Sequence, residues 1–178
     1  MIREQLQVSG SKAEIILACL ERSQGSGLQE LIRWVKENTS EGLWLILTND
    51  CCKLPSWKVL KTGLLYSIKN YLENKMISRT LVLELLLYLI GDRNIKNLQG
   101  FFFEGNSKQI GLIGISLKGE TVLYDTFKRF REAHQLEEAS YDEDCWVPVY
   151  SDFLKAPADK DVLTKILRAR AALLELSA

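Results

Sequence analysis

The sequence contains one histidine, His134, and this scarcity removes most catalytic and metal-binding arrangements that depend on imidazole. It also lacks a Gly-x-Gly-x-x-Gly motif after a strand and a phosphate-binding loop that ends in Gly-Lys-Ser or Gly-Lys-Thr. The acids Glu132, Glu137 and Glu138 around His134 predict a surface histidine. These absences favour a binding subunit over an enzyme, with no catalytic residue and no cofactor.

Cysteine is also scarce, and its four copies show neither a Cys-x-x-Cys pair nor the spacing of a disulfide framework. They are Cys19, Cys51, Cys52 and Cys145. Neighbouring side chains such as Cys51 and Cys52 rarely converge on one tetrahedral ion, so no metal site is predicted there. We therefore expect ordinary thiols and a cytoplasmic location, or a nuclear one if the protein is eukaryotic.

No segment has the features of a secretion signal or a membrane span. Glu4, Lys12 and Glu14 interrupt any apolar run near the start. The most apolar stretch, Leu81–Ile90, is about half the length needed to cross a bilayer, and it contains Glu84. We expect this stretch to be a core helix, with Leu86 buried and no contact with a membrane.

The length and composition predict one globular domain over residues 1–178. Hydrophobic residues make up 47% of the 178 positions and charged residues 26%, which is ordinary for a folded protein. Segments typical of helices and strands interleave along the chain. The predicted class is α+β, with one mixed or antiparallel β-sheet and helices packed on it.

The hydrophobic pattern predicts the individual elements. Strands are expected at Ile2–Val8, Leu43–Thr48, 110–117 and 145–150. Ser11 is expected to cap a helix that buries Ala13, Ile16 and Leu20, and a turn is expected at 24–27. Further helices are expected from Leu28, over Trp57–Asn74, Leu81–Ile90, Ile95–Phe103 and 121–131, and from Asp159 or Asp161 onward.

Positive charge is concentrated in one part of a chain that is neutral overall. The sequence has 23 basic and 23 acidic residues, but residues 53–96 contain eight basic and three acidic ones, a local balance of +5. Residues 132–144 contain six acids and no Lys or Arg. Affinity for a polyanion must therefore come from a local patch, because the chain has no net charge to supply it.

One segment resembles a known family. Residues 76–95 read MISRTLVLELLLYLIGDRNI: an Arg-Thr entry, an apolar helix carrying Glu84, a Gly-Asp-Arg break and an Ile that opens the next helix. This order resembles the central signature of the PRPK-binding-protein family, the small subunit of the KEOPS complex. The resemblance extends to the helix before this segment, to the strand after it and to the apolar closing helix.

The resemblance implies a non-catalytic accessory role in tRNA threonylcarbamoyl-adenosine modification. Such a subunit binds and activates the small atypical kinase of KEOPS, meets the other subunits indirectly, and helps recruit tRNA through its CCA end. The chemistry belongs to the partner subunits, so the resemblance implies no active site in this chain.

The basic region supplies the residues expected to contact tRNA, because clustered Lys and Arg neutralise backbone phosphates. These residues are Lys58, Lys61, Lys69, Lys75, Arg79 and Arg93. Trp57, Tyr66, Tyr71 and Phe101–Phe103 are candidates for stacking with unpaired bases. The alternative is that these aromatic residues pack the core and the lysines are merely solvated.

The last helix carries more apolar residues than one packing stripe requires, and this surplus suggests a partner. The family resemblance implies that this partner is the kinase, and Leu167, Leu173 and Leu174 are predicted to bind it. The alternative is that all of them dock on the protein's own domain. Two other functions stay open: an adaptor that contacts only proteins, and an enzyme with an unrecognised metal site at the acids of 142–144.

Overall fold

The computed structural model describes residues 1–22, 27–105, 107–140 and 142–176. Its contacts divide the chain into two compact units, each made of two chain segments: Met1–Cys51 with Gly105–Tyr141, and Cys52–Glu104 with Asp142–Ala178. Each unit is described by itself, and the single domain over 1–178 stays a prediction. Most of the turn expected at 24–27 lies outside the described residues.

The first unit is an antiparallel sheet with two helices. Its strands are β1 (Ile2–Val8), β2 (Ser11–Glu21), β3 (Leu43–Thr48), β4 (Gln109–Ser116) and the short β5 (Glu137–Glu138). The strand order is β1-β2-β4-β3, and β5 pairs with the end of β2. The helices α1 (Leu28–Asn38) and α5 (Glu120–His134) contact the sheet. The predicted α+β class, with an antiparallel sheet and helices packed on it, is confirmed.

Alternate residues of the strands form one continuous core with α1 and α5. Ile16, Leu45 and Leu112 lie in the sheet, and Leu31 and Phe127 come from the two helices. The intervening residues of β2 and β4 are buried as well, so both strands are apolar on both faces. A strand buried on both faces loses the alternating pattern by which strands are usually recognised.

The helix predicted after Ser11 is wrong, because residues 11–21 form β2. Val8 pairs directly with Ser11, and only Ser9 and Gly10 separate the two strands. Their φ angles are 48° and 82°, the positive values that a type I′ hairpin turn requires at both central positions. Ser11 therefore closes a hairpin, and the helical spacing of Ala13 and Ile16 comes from a continuous apolar run.

The second unit is helical. It contains α2 (Trp57–Leu72), α3 (Leu81–Ile90), α4 (Ile95–Phe103), α6 (Trp146–Leu154) and α7 (Lys160–Leu176). A 3-10 turn over Cys51–Lys53 precedes α2. Helices α2, α3 and α7 pack against one another, α4 contacts α3, and α6 contacts α7. Leu86 is fully buried, as predicted, and all but two residues of α3 are buried. Within the described residues, every helix is too short or too polar to span a lipid bilayer.

The strand predicted at 145–150 is also wrong, because these residues begin α6. The alternation of Val147, Pro148, Val149 and Tyr150 resembles a strand, but Pro148 occupies the first turn of a helix, where no backbone N–H is needed. Trp146 and Tyr150 lie four residues apart and are both fully buried. Because four residues are about one helical turn, a helix places Trp146 and Tyr150 on the same buried face, and this burial favours the helix over a strand.

The four cysteines form two disulfides, which corrects the expectation of ordinary thiols. Cys19 pairs with Cys51 at a Cα–Cα distance of 5.5 Å, and Cys52 pairs with Cys145 at 5.0 Å. The partners are 32 and 93 residues apart in sequence, so only the tertiary fold brings them together. Each bridge lies within one unit, and the first of the three boundaries between units falls between Cys51 and Cys52.

Candidate nucleic-acid interface

The first turns of α2 present two of the predicted basic residues to solvent. Leu60, Leu64 and Ile68 are fully buried on one side of the helix. Lys58 and Lys61 are exposed on the other side, and neither forms an ion pair within the described residues. Because their ammonium groups are hydrated and uncommitted, both are placed to meet a phosphate.

Lys69, in the last turn of α2, is committed to a polar network. Its Nζ lies 2.8 Å from Oε1 of Glu175 in α7. Oε2 of Glu175 accepts hydrogen bonds from the Tyr88 hydroxyl at 2.7 Å and from the Asn70 amide at 2.9 Å. The amide of Asn70 also donates to the Tyr88 hydroxyl at 2.8 Å. Lys69 therefore ties α7 to α2, and its charge is largely matched by a carboxylate.

The ionisation of this network follows from its contacts. The hydrogen bond to Glu175 raises the pKa of Lys69. Burial alone would raise the pKa of Glu175, but the hydrogen bonds from Lys69, Tyr88 and Asn70 outweigh it and lower that pKa. Burial, followed by the bond to Glu175, raises the pKa of Tyr88. Near neutral pH the network holds a carboxylate, an ammonium and a neutral phenol.

Arg79 lies in the short segment before α3, and Glu84 fixes the shape of that segment. The buried Glu84 carboxylate accepts the backbone N–H groups of Ile77 at 3.1 Å and Ser78 at 2.7 Å. The Thr80 hydroxyl caps α3 by accepting the N–H of Leu83. Glu84 therefore has a structural role, and Arg79 extends into solvent from a well-defined loop. Lys75, just before this loop, is paired with Glu73 at 2.9 Å.

The three residues of the Gly-Asp-Arg break after α3 have different structural roles. Gly91 ends the helix in a left-handed conformation with φ of 61°. Oδ1 of Asp92 accepts the N–H of Asn94, and Oδ2 accepts the side-chain amide of Asn97, which fixes the start of α4. Burial opposes ionisation of Asp92, but these bonds and the charge of Arg170 lower its pKa. Arg93 is exposed beside this turn.

A groove of about 740 Å³ lies between α4 and α6. The 3-10 turn and α4 line one side, and α6 lines the other; the lining residues are Lys53, Lys96, Asn97, Gly100, Phe101, Pro148, Val149, Asp152 and Phe153. The Phe101 and Phe153 ring centroids are 4.5 Å apart at its base. We call this feature the α4–α6 groove.

Two lysines flank the apolar base of the α4–α6 groove. Lys53 Nζ lies 5.6 Å from the Phe101 ring centroid and donates to the carbonyl of Glu104 at 3.0 Å. Lys96 is exposed on α4. Asp152 is neutralised by Lys155 at 2.8 Å, and this hydrogen bond lowers the pKa of Asp152. Phe101 is itself only 9% exposed, so the half-buried Phe153 ring is the more accessible part of this aromatic base. An aromatic surface between two ammonium groups suits an unpaired base with its phosphate.

Sequence reasoning identified the cations of this unit but not the groove. Lys53 and Lys96 fall within the basic region, and Phe101 was a stacking candidate, yet the six predicted tRNA contacts include none of the groove residues. The missing wall comes from α6, which was predicted to be a strand. Of the other aromatic candidates, Trp57, Tyr66 and Tyr71 are half-buried, whereas Phe102 is fully buried and has no face available for stacking.

The three leucines predicted to bind the kinase have different environments. Leu167 is fully buried and Leu174 is 8% exposed, so both pack within the helical unit itself. Leu173 is 65% exposed, and Leu176, one turn further on, is 84% exposed. The apolar surplus of α7 is therefore smaller than the sequence suggested, and its exposed part lies at the end of the helix.

His134 and the acids of 142–144 are engaged in local contacts within the part of the chain that the structure describes. The prediction of a surface histidine is wrong: His134 is 9% exposed and packs edge-on against Trp34 and Phe130. Asp142 accepts the backbone N–H of Asp144, which is itself paired with Lys160. Among the residues that the structure describes, no group of three His, Cys, Asp or Glu side chains could hold a metal ion.

No family model matches this chain, and no curated protein matches it. Its function is therefore inferred from the resemblance of residues 76–95 and from the geometry of the helical unit.

Proposed function

We propose that this protein is the small, non-catalytic subunit of a KEOPS complex, and that it binds the atypical kinase subunit and tRNA. The observation that carries the proposal is the arrangement of the helical unit. The segment with the family signature connects α2 to α4, and exposed cations lie within it at Arg79 and Arg93 and directly after it at Lys96. Glu84, Gly91 and Asp92 of the signature fix the loops from which Arg79 and Arg93 extend.

The candidate tRNA surface consists of two parts that complement each other chemically. The exposed cations of α2 and of the loops around α3 supply phosphate contacts without sequence preference. The α4–α6 groove supplies an aromatic base with flanking lysines, which fits an unpaired nucleotide better than a duplex. This combination supports binding of a tRNA through its backbone and its single-stranded end.

The candidate kinase surface is the end of α7. Leu173 and Leu176 are exposed apolar side chains within one turn of each other. Their helix is fixed to α2 and α3 by the Glu175 network, so the two leucines are presented from a rigid support. The proposed role requires a cytoplasmic location, or a nuclear one in a eukaryote.

The proposal is tested by co-expressing the full chain with the small atypical kinase of KEOPS from the same source. We expect the two proteins to co-purify, the ATPase activity of the kinase to rise, and tRNA to bind with a salt-dependent affinity. Failure to co-purify would overturn the proposal. Kinase binding without salt-dependent tRNA affinity would instead indicate the protein-only adaptor. The observation that favours this alternative is that Lys69 and Lys75, two of the predicted tRNA contacts, are already paired with acids.

A further inference from the structure

Each cysteine of the Cys52–Cys145 disulfide directly precedes a chain segment that lines the α4–α6 groove. Cys52 directly precedes Lys53, which lines one side of the groove. Cys145 directly precedes α6, which supplies Pro148, Val149 and Phe153 to the other side. This bridge therefore covalently joins the two chain segments that face each other across the groove.

The two disulfides differ in their accessibility. Cys19 and Cys51 are 3% and 2% exposed, so a reductant cannot reach their bridge without local unfolding. Cys52 and Cys145 are both half-buried and partly in contact with solvent. Since thiol–disulfide exchange requires a thiolate to approach a sulfur atom, the Cys52–Cys145 bridge is the one open to reduction in the folded protein.

Helix α6 is nine residues long, too short to be stable alone in water, so it depends on its contacts with the rest of the helical unit. Its noncovalent contacts include the buried Trp146, the packing of α6 against α7, and the rings of Tyr150 and Phe153 against Phe101. The Tyr150 hydroxyl also donates to the Lys53 carbonyl at 3.0 Å. The disulfide is the only covalent link between α6 and the Lys53 segment other than the chain itself, whose 93-residue separation imposes little restraint.

We propose that the Cys52–Cys145 disulfide is a redox-controlled clamp that holds α6 as a wall of the α4–α6 groove. In the oxidised protein the groove is preformed and binds its ligand. In the reduced protein α6 opens more often and ligand affinity falls. The clamp rests on the proposed function only for the nature of that ligand, a single-stranded RNA.

The chemistry is thiol–disulfide exchange with a dithiol reductant. A thiolate of the reductant attacks one sulfur of the bridge; the S–S bond breaks, a mixed disulfide forms, and the other cysteine leaves as a thiolate that takes up a proton. The second thiol of the reductant then attacks the mixed disulfide and releases the second cysteine. Two electrons pass to the protein, and the reductant becomes a cyclic disulfide.

The selectivity of reduction is measured on the full chain with limiting dithiothreitol, followed by alkylation and peptide mass spectrometry. We expect Cys52 and Cys145 to be labelled first, with Cys19 and Cys51 still paired. In the same samples, amide hydrogen exchange in α6 should become about tenfold faster, while exchange in α1 stays unchanged. Equal labelling of all four cysteines, or unchanged exchange in α6, would overturn the clamp.

Matched variants separate the clamp from general destabilisation. Cys52→Ser with Cys145→Ser should reproduce the fast exchange of α6 without any reductant, whereas Cys19→Ser with Cys51→Ser should leave α6 protected. The binding probe is a single-stranded oligoadenylate of about six nucleotides. We expect its Kd to rise about tenfold on reduction, because opening of the wall lowers the binding-competent fraction.

The outcomes distinguish the two proposals. If the oligonucleotide binds equally well in both redox states, the clamp does not control the groove and this inference is overturned. If it binds in neither state, the RNA-binding part of the proposed function fails, and hydrogen exchange in α6 alone decides whether the clamp exists.

Discussion

Arg170 of α7 packs directly against Gly91, the residue that ends α3. A Cβ atom built on Gly91 would overlap the side chain of Arg170, and the φ angle of 61° at Gly91 is one that L-residues rarely adopt. The guanidinium side chain also lies near the C-terminal end of α3, where positive charge is favourable, and it helps to keep Asp92 ionised. The glycine of the Gly-Asp-Arg break is therefore the contact point of two helices.

Gly91→Ala should be strongly destabilising because it adds a steric overlap to backbone strain. We expect a loss of about 1–2 kcal/mol from the left-handed backbone and about 1–3 kcal/mol from overpacking. Gly10→Ala is the matched control, since Gly10 has φ of 82° but no atom within 4 Å of the added methyl group. Urea denaturation measures the free energy of unfolding of both variants. An equal loss of stability in the two would show that Arg170 moves away from the added methyl group at little cost.

The exposed cations should determine the salt dependence of tRNA binding. Reversing Lys61 and Arg79 to Glu should weaken binding and reduce the slope of log Kd against log salt by about two units, because about 0.9 counterions are released per phosphate contact. The control is the reversal of Lys128 and Arg129, exposed residues of α5 in the other unit. An unchanged slope in the first double variant, with an intact melting transition, would remove these residues from the interface.

The leucines of α7 should separate partner binding from folding. Leu173→Glu should change stability by less than about 0.5 kcal/mol and abolish kinase binding, since the side chain is mostly exposed. Leu174→Ala should cost about 2–5 kcal/mol, as should Leu167→Ala, because both side chains are buried. Val162→Glu, at an exposed position near the start of α7, is the control for surface charge. Thermal melts and kinase pull-downs give the two readouts.

Stability should fall with acid partly through Glu175. Its pKa is lower in the folded protein than in the unfolded chain, so its contribution is present above the ordinary carboxyl pKa and is lost as pH falls through the folded value. Glu175→Gln should therefore be less stable than the wild type at neutral pH, with the difference shrinking as the pH falls below the ordinary Glu pKa of about 4.3. Denaturation midpoints across this range, with Glu4→Gln as an exposed control, measure the effect. A constant difference would contradict it.

Sequence reasoning succeeded where the local pattern and the tertiary environment agree. Leu43–Thr48, Leu81–Ile90 and the cap of α7 were predicted correctly, and Oδ1 of Asp159 does accept the N–H of Val162 at 2.8 Å. It failed at β2, because a run buried on both faces fits a helix and a strand equally well. The decisive signal was the Ser9-Gly10 turn, whose two positive φ angles join β1 to β2 as a hairpin.

The candidate site was only partly accessible to sequence reasoning. A cluster of basic residues can be recognised from the sequence alone, so the cations of α2 and of the loops around α3 were identified. Whether a lysine is already paired depends on distant residues: Lys69 meets Glu175, 106 positions away. The same holds for the cysteines, since four of them allow three pairings and only the fold selects one.

The position of β4 between β2 and β3 determines when the sheet can close during synthesis on the ribosome. β3 is complete at Thr48, but its only strand partner among the described residues, apart from an isolated bridge at Ser40, begins at Gln109. Synthesis of more than half the chain must therefore precede closure of the sheet. Until then the apolar strands β2 and β3 carry unpaired edges, and the nascent protein depends on protection from aggregation during that interval.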